Sequence, residues 1–286
     1  MTITLTPSST QLLASGAADL AEHRRLHGDL PWQGGPGRLT ATLEASGLTG
    51  RGGAGFPTWR KVASSAAASG RSAVVIANGA EGEPASSKDA VLLAAAPHLV
   101  LDGAQLAAEA VGAGRIVVYV KAGAAMAAVR RALDERRAGG LDRCRMEIVE
   151  APKGFVSGEE SSAVSAIEGG AALPRTKRHL ITERGVDGRP TLVQNVETLA
   201  HLALIARHGV AWFRSAGTEA EPGTFLATLG GAVVRPGVVE AEYGIGLGEL
   251  LDLAGGAAEP LSAVLVGGYH GGWGPASALT LSLIHL

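Results

Sequence analysis

Hydrophobic positions in the middle of the chain alternate between two kinds of run. From Ser72 onward, the short β-branched runs SAVVIAN, RIVVYV and RMEIVEA are each followed by a longer run that is rich in alanine or small residues. The short runs predict buried strands, and the longer runs, with apolar residues at helical spacing, predict amphipathic helices. The series predicts an α/β fold, in which a Rossmann-like parallel sheet carries helices on both faces.

Changes in this pattern divide the chain into three predicted regions. Residues 1–45 are interrupted by glycine and proline, which predicts an irregular arm with one short helix near Ala17 to Leu26. Residues 46–215 carry the strand and helix series and form the predicted α/β domain. Residues 216–286 alternate short strands with Gly/Pro turns and one short helix, so we expect a small α+β domain there.

Composition narrows the possible functions. The 286 residues have a formal net charge of −2, so the overall field of the protein attracts neither nucleic acid nor an anionic membrane. Cys144 is the only cysteine, which excludes an internal disulfide and a self-sufficient CxxC site. The sequence has no signal peptide pattern and no uncharged apolar run of the ~18 residues that a membrane helix needs. We therefore expect a cytoplasmic protein without direct membrane insertion, either free or peripheral to a membrane complex.

The string GLTGRGGAGFPTWRK is a candidate anion site. Gly50, Gly52 and Gly55 fit the GxGxxG pattern, but a dinucleotide fingerprint follows a strand, and this string follows the helical pattern TATLEASG. Clustered glycines nevertheless let backbone N–H groups approach an anion, and Arg51 and Lys61 add positive charge. The alternative is a structural turn with solvated basic residues.

Two acidic strings follow predicted strands. NGAEGEP follows the first strand of the series, where a parallel sheet delivers a loop to the ligand crevice, and it contains Glu81 and Glu83. GEE begins a predicted helix, where Glu159 and Glu160 also suit the positive end of the helix dipole. The alternatives are a solvated acidic turn for the first string and helix capping for the second.

A long polar loop from Ala171 to Thr191 interrupts the alternation before a last helix, which we expect Asn195 to cap and Gly209 to end. Gln194, Asn195 and Thr198 offer neutral hydrogen-bonding groups near the start of that helix. A solvated charged face is the alternative for the basic cluster in the loop, which comprises Arg175, Lys177, Arg178 and His179.

Together, GRGGAGFPT, NGAEGEP, GEE and PTLVQNVET resemble the flavin subunit of respiratory complex I and its relatives in NAD-linked hydrogenases and formate dehydrogenases. The resemblance extends from Leu48 to Thr198, and GRGGAGFPT is its most specific string. After Thr224 the sequence resembles the soluble-ligand-binding β-grasp domain of that family, which we expect to be incomplete here. The resemblance implies noncovalent FMN as cofactor, NADH as substrate and an NADH dehydrogenase-type oxidoreductase.

The resemblance also assigns roles to individual residues. It implies that FMN is bound by Gly50, Arg51, Gly53, Lys61, Asn78, Glu81, Gly158, Glu159, Glu160, Val193, Gln194, Asn195 and Thr198. It implies that NADH contacts Phe56, Glu83, Glu160 and Lys177. These residue types suit the roles, since backbone donors and cations suit a phosphate and carboxylates suit amide and hydroxyl donors. The flavin carries the redox chemistry, so no catalytic side chain is expected.

Departures from the family keep a second hypothesis open. Ala80 stands where the family has an aspartate, and Ser157 where it has a cysteine. The CxxCxxC string and fourth cysteine of the family's four-iron cluster are missing, so we expect no iron–sulfur cluster in this chain. Either the chain is truncated, or an iron–sulfur or ferredoxin-like partner receives the electrons. The alternative to an NADH-oxidising module is a noncatalytic scaffold that only binds partners.

Overall fold

The computed structural model describes residues 2–3, 11–13, 17–68, 72–176 and 179–277. Its helices are α1 Leu20–His27, α2 Pro36–Ser46, α3 Thr58–Ala67, α4 Lys88–Ala95, α5 Pro97–Val111, α6 Ala124–Ala138, α7 Glu160–Ile167, α8 Val196–Phe213 and α9 Leu247–Leu253. Its strands are β1 Thr2–Ile3, β2 Ala73–Gly79, β3 Ala113–Lys121, β4 Arg145–Ala151, β5 Thr191–Asn195, β6 Thr224–Leu229, β7 Gly237–Glu242, β8 Ala263–Val266 and β9 Gly272–Pro275.

The central sheet has four parallel strands in the order β4-β3-β2-β5. Successive side chains of a strand point to opposite faces of a sheet, so the β-branched run of β2 fills two cores. Val75 lies in the larger core with residues of α4, α5, α6 and α8, whereas Val74 and Ile76 lie in a smaller core with residues of α7. Helices cover both faces, and the predicted α/β fold is confirmed.

The apolar run after β2 differs from its prediction. The pattern predicts one helix, but the structure has α4 and α5, bent by 97° at a break between them. Pro97 disfavours the helical conformation at the preceding residue, and Ala96 has φ −138° and ψ 54°. No single helix within the described residues is long and apolar enough to cross a membrane. Only α4 and α5 taken together reach the required length and apolar composition.

The region after the polar loop also differs in two places. Residues 191–195 form β5, a buried strand paired with β2, where the pattern predicts the end of a loop and the start of a helix. Asn195 caps α8 as predicted, accepting a hydrogen bond from the Glu197 N–H. Gly209 does not end α8, however. It has φ +85° and kinks the helix, which continues to Phe213.

The N-terminal arm contains the short helix predicted near Ala17 to Leu26, which is α1, and most of α2, whose second half is the helical pattern TATLEASG. His23 of α1 lies 2.8 Å from Asp102 of α5, in a buried contact that fixes the first helix on the α/β domain. Leu39 and Leu43 of α2 are fully buried in the larger core. Glycine and proline interrupt the arm, so its sequence pattern does not indicate these buried contacts.

In its described residues, 216–277, the small C-terminal region contains the short strands and the one short helix that the pattern predicts. β6 and β7 pair antiparallel, β1 adds in parallel to β7, and β8 and β9 form a separate hairpin. Glu240 of β7 is fully buried and accepts hydrogen bonds from the backbone N–H groups of Leu12 and Leu13. The arm is therefore joined to both regions, and the predicted domain boundaries remain predictions.

Candidate functional site

Loops from several elements meet beyond the carboxyl ends of the parallel strands. We call this space the crevice. It is bounded by residues 49–57, 78–87 and 152–160 and by the start of α8. Such crevices are the usual ligand sites of parallel α/β sheets. The four strings singled out in the sequence all contribute to it.

The glycine-rich loop is a closed turn that leads into α3. The Gly50 N–H donates to the Phe56 carbonyl at 2.8 Å, and Gly53 and Gly55 have φ values of +102° and +58°, which favour glycine. Within the part of the chain that the structure describes, the N–H groups of residues 52–55 have no well-aligned acceptor. Successive N–H groups without a well-aligned acceptor, placed before a helix N-terminus, suit a phosphate. The loop follows α2, a helix, so it is not a Rossmann fingerprint.

Arg51 connects this loop to the small region. Its backbone N–H donates to the Thr198 hydroxyl at 2.9 Å, and its guanidinium donates to the Tyr243 hydroxyl at 2.8 Å and to the Pro222 carbonyl at 3.3 Å. The guanidinium also lies over the Tyr243 ring, 4.4 Å from its centroid. Arg51 is only 7% exposed, so its charge is held against these groups at the base of the loop. Its predicted contact with FMN stays a prediction.

Lys61 and Glu160 form an ion pair across the crevice. Lys61 lies in the first turn of α3 and Glu160 in the first turn of α7, so the two helices point their N-terminal ends toward the same space. The preceding residue, Glu159, is the N-cap of α7 and accepts from the Ser161 and Ser162 N–H groups. The capping alternative therefore describes Glu159, whereas Glu160 faces a cation.

The loop after β2 is braced from two sides. Asn78 donates through Nδ2 to the Gly158 carbonyl at 2.8 Å, and Lys121, at the end of β3, donates to the Glu81 carbonyl. The Glu81 carboxylate turns back into its own loop, where it accepts from Ser86 and from the Lys88 N–H. Burial raises the pKa of Glu81, and nearby Asp89 adds to the increase. Lys121 belongs to the crevice but was not among the predicted site residues, because a lysine at a strand end has no distinctive sequence pattern.

Glu83 and Phe56 lie at the more exposed end of the crevice. Glu83 accepts from the Ala85 N–H at 3.2 Å and, through its other oxygen, from the Tyr269 N–H at 2.7 Å. Phe56 is 43% exposed, and the Lys61 ammonium lies 6.0 Å from the centroid of its ring. An exposed aromatic ring beside a carboxylate and a lysine offers both a flat apolar surface and charged groups to a ligand.

The start of α8 forms the remaining wall. Asn195 donates to Asp89 at 2.6 Å in addition to capping the helix, and the Thr198 hydroxyl accepts from Arg51. Val193 is buried in the smaller core. Gln194 is 3% exposed, and its amide nitrogen has no hydrogen-bond partner among the described residues. A buried amide donor without an acceptor marks a place where a polar ligand atom fits.

A buried charge network supports this wall from beneath. Lys88 donates to Asp89 at 2.8 Å and to Glu197 at 2.7 Å. Burial alone would lower the pKa of Lys88, but the two carboxylates outweigh burial and raise it. Glu197 also accepts from the Leu226 N–H of β6 at 2.9 Å. This network was not predicted from the sequence, because its members are polar residues in apolar helical runs.

The structure describes only part of the basic cluster in the polar loop. Arg175 pairs with Glu168 at 2.6 Å, and its N–H donates to the Ser161 hydroxyl at 2.9 Å, which ties the loop to α7. Lys177, a predicted NADH contact, and Arg178 lie outside the described residues. The first turn of α7 therefore lies close to Arg175, and the roles predicted for Gly158, Glu159 and Glu160 stay predictions.

The sequence of this chain matches known proteins over most of its length. Residues 43–204 match the model of the Nuo51 FMN-binding domain. The NADH-quinone oxidoreductase F subunit of Mycobacterium tuberculosis is 37% identical over 237 residues, which are 77% of this chain and 53% of the relative. The alpha subunit of the NAD-reducing hydrogenase HoxS of Cupriavidus necator is 35% identical over 248 residues, which are 82% of this chain and 41% of the relative.

A solved structure shares the whole architecture. The crystal structure of an NAD+-reducing [NiFe]-hydrogenase in the air-oxidised state superposes with a TM-score of 0.88 at 32% identity. The match covers 99% of this chain and 49% of the hydrogenase chain. The chain thus spans about half the length of the relatives that it matches.

Proposed function

The chain belongs to the Nuo51 FMN-binding domain family, and from this premise we propose that it binds FMN in the crevice, oxidises NADH and passes the electrons to a partner protein. The observation that carries the proposal is the glycine-rich loop, whose N–H groups at residues 52–55 have no well-aligned acceptor within the described chain. A single phosphate matches this cradle, and one phosphate distinguishes FMN from FAD. The alternative, a scaffold that binds partners only, has no use for such a donor set.

Each wall of the crevice has a separate task in this proposal. Residues 52–55 donate to the phosphate, and Lys61 adds its charge when it leaves Glu160. Arg51 holds the loop in shape through Thr198 and Tyr243. The buried amide of Gln194 donates to a polar atom of the flavin, and Asn78 fixes the loops on either side. Hydride uptake from NADH and release of electrons one at a time are the chemistry that bound FMN would supply.

The exposed end of the crevice receives NADH. Glu83 and Glu160 are acceptors for the amide and hydroxyl donors of the dinucleotide, and the exposed Phe56 ring packs against one of its flat rings. Lys177 would pair with a dinucleotide phosphate. The acceptor in this proposal is an iron–sulfur or ferredoxin-like partner, since the relatives that the chain matches are named as subunits of larger redox enzymes.

The cofactor proposal is tested by releasing the flavin. The purified protein is heated, and the released compound is identified by chromatography against FMN and FAD standards. We expect FMN. Recovery of FAD would contradict the one-phosphate site, and a folded protein that neither contains nor takes up a flavin would favour the scaffold.

Lys61→Ala and Glu160→Gln separate the two ligands. Lys61→Ala removes the cation of the phosphate site, so flavin content falls. Glu160→Gln removes the competing partner of Lys61, so the protein keeps its flavin while losing a charge-assisted hydrogen bond worth roughly 1.5–3 kcal/mol. The KM for NADH then rises about tenfold or more. Flavin content and NADH oxidation with an artificial acceptor are measured together. Loss of flavin with a normal KM in Glu160→Gln would make Glu160 a structural residue.

A further inference from the structure

The β8–β9 hairpin places its turn at the crevice. This turn, residues 267–271, we call the hairpin tip. Its Tyr269 N–H donates to Glu83 at 2.7 Å, although 186 positions separate the two residues. Since Ala85 donates to the other oxygen of Glu83, the carboxylate is held between two backbone donors. A carboxylate has about four acceptor sites, so Glu83 retains capacity for a ligand.

The Tyr269 side chain extends the aromatic surface of the crevice. Its ring meets the ring of Phe155 edge to face, with centroids 5.4 Å apart, and it is 77% exposed. Phe155 lies directly beside the loop after β2, because its carbonyl oxygen packs against Gly82, where any side chain would collide with it. The exposed ring of Tyr269 therefore stands next to Glu83 and within the wall that leads to α7.

Glycines fix the hairpin tip in this position. Gly267 and Gly268 have φ values of +87° and +66°, and a side chain at Gly268 would collide with the Glu83 carboxylate. A side chain at Gly271 would collide with the Val266 carbonyl. The absence of a Cβ at these positions permits the fold of the tip and its close approach to the Glu83 carboxylate.

We propose that the hairpin tip is a further wall of the dinucleotide site, in which Tyr269 orients Glu83 through its N–H and offers its ring as a stacking surface for a base ring of NADH. This inference rests on the proposed function and deepens it, since it assigns part of NADH recognition to the small region. The chemistry fits, because stacking of a base on an aromatic ring is insensitive to the edge groups of the base and tolerates an exposed surface. A carboxylate beside the ring accepts from ribose or amide donors.

The test uses the full chain loaded with FMN and four variants: Tyr269→Ala, Tyr269→Phe, Gly268→Ala and the control Trp273→Ala. Trp273 is 74% exposed on the same hairpin, and among the described residues it has no hydrogen bond to Glu83 and no ring contact with Phe155. The dissociation constant of NAD+ is measured by its perturbation of the flavin spectrum, and KM and kcat for NADH are measured separately.

We expect Tyr269→Ala to weaken NAD+ binding and raise KM by about tenfold, a typical loss for one stacked base, with kcat and flavin content unchanged. Tyr269→Phe keeps the ring and binds like the wild type. Gly268→Ala displaces Glu83 and raises KM, and Trp273→Ala has no effect. Normal NADH oxidation by wild type together with an unchanged KM in Tyr269→Ala overturns this inference alone. Tighter NAD+ binding in Tyr269→Ala overturns it too, because the tip would then be an obstruction. A wild type that binds FMN but not NADH overturns the proposed function as well.

Discussion

Individual charged residues in this protein are fixed by partners that are distant in sequence. Asp102 in α5 accepts hydrogen bonds from His23, Arg136 and Arg207, which come from three other helices. Burial would raise the pKa of Asp102, but these partners together hold it well below its usual value. His98 in α5 packs against His23 at a ring distance of 5.5 Å and lies 3.0 Å from Glu135 of α6. The packing of α1 against α5 therefore depends on the charges of this cluster.

This cluster predicts a loss of stability in mild acid. Burial lowers the pKa of His98 to about 4, and His23 and Arg136 add to that effect. Burial likewise lowers the pKa of His27 to about 4. In the unfolded chain these imidazoles gain a proton near pH 6.5. Their contribution is therefore complete above about pH 6.5 and is lost progressively toward about pH 4, because only the unfolded state binds protons in that range.

His98→Gln tests the direction of this effect. Glutamine keeps a donor for Glu135 but does not titrate, so the variant should lose less of its free energy of unfolding between neutral pH and about pH 4.5 than the wild type. Urea unfolding followed by circular dichroism at a series of pH values measures the slope. His179→Gln, on the exposed polar loop, is the control. Equal slopes for the wild type and His98→Gln would show that the pKa of His98 is the same in the folded and unfolded states.

At the scale of elements, the close crossing of α5 and α8 determines where the crevice wall stands. Gly103 of α5 lies against the Leu199 carbonyl of α8, and an added Cβ would overlap that oxygen. α8 carries the residues that line the crevice at its first turn, so its position relative to the sheet sets the distance between Asn195 and the glycine-rich loop. A Cβ at Gly52 would already contact Asn195 at 3.5 Å.

Gly103→Ala should therefore separate α5 from α8. Overpacking of this kind costs about 1–3 kcal/mol of unfolding free energy. The matched control is Gly37→Ala in α2, where an added Cβ meets nothing within 4 Å and should stabilise the protein by about 0.4–1 kcal/mol. Chemical denaturation of both variants gives the comparison. A Gly103→Ala variant as stable as Gly37→Ala would contradict the close approach.

The sequence predicts most elements because periodicity is a local property. The runs that form β2, β3 and β4, and the capping of α8 by Asn195, follow from residue order alone. β5 was missed because its short apolar run merges into the following helix. Pairings were not predictable either, since Lys61 and Glu160 are 99 positions apart and Arg51 and Tyr243 are 192 apart. The sequence motifs identify the loops that bound the crevice, but they do not show which charged residues pair across it.

At the scale of the whole molecule, the small region supports the crevice from several directions. Tyr243 holds Arg51 of the glycine-rich loop, the Thr228 hydroxyl accepts from the Ser87 N–H at 3.0 Å, and the Leu226 N–H donates to Glu197. These contacts reach the loop after β2, the start of α8 and the glycine-rich loop. The small region thus stabilises three walls of the proposed flavin site.

We propose that this crevice brings FMN and NADH together for hydride transfer. An anaerobic titration of the FMN-loaded protein with NADH, followed through the blue absorption band of the flavin, tests this proposal. We predict that NADH bleaches the band with an end point of one NADH per bound FMN, and that admission of an electron acceptor restores it. A protein that binds FMN but whose spectrum is unchanged by excess NADH would contradict the account.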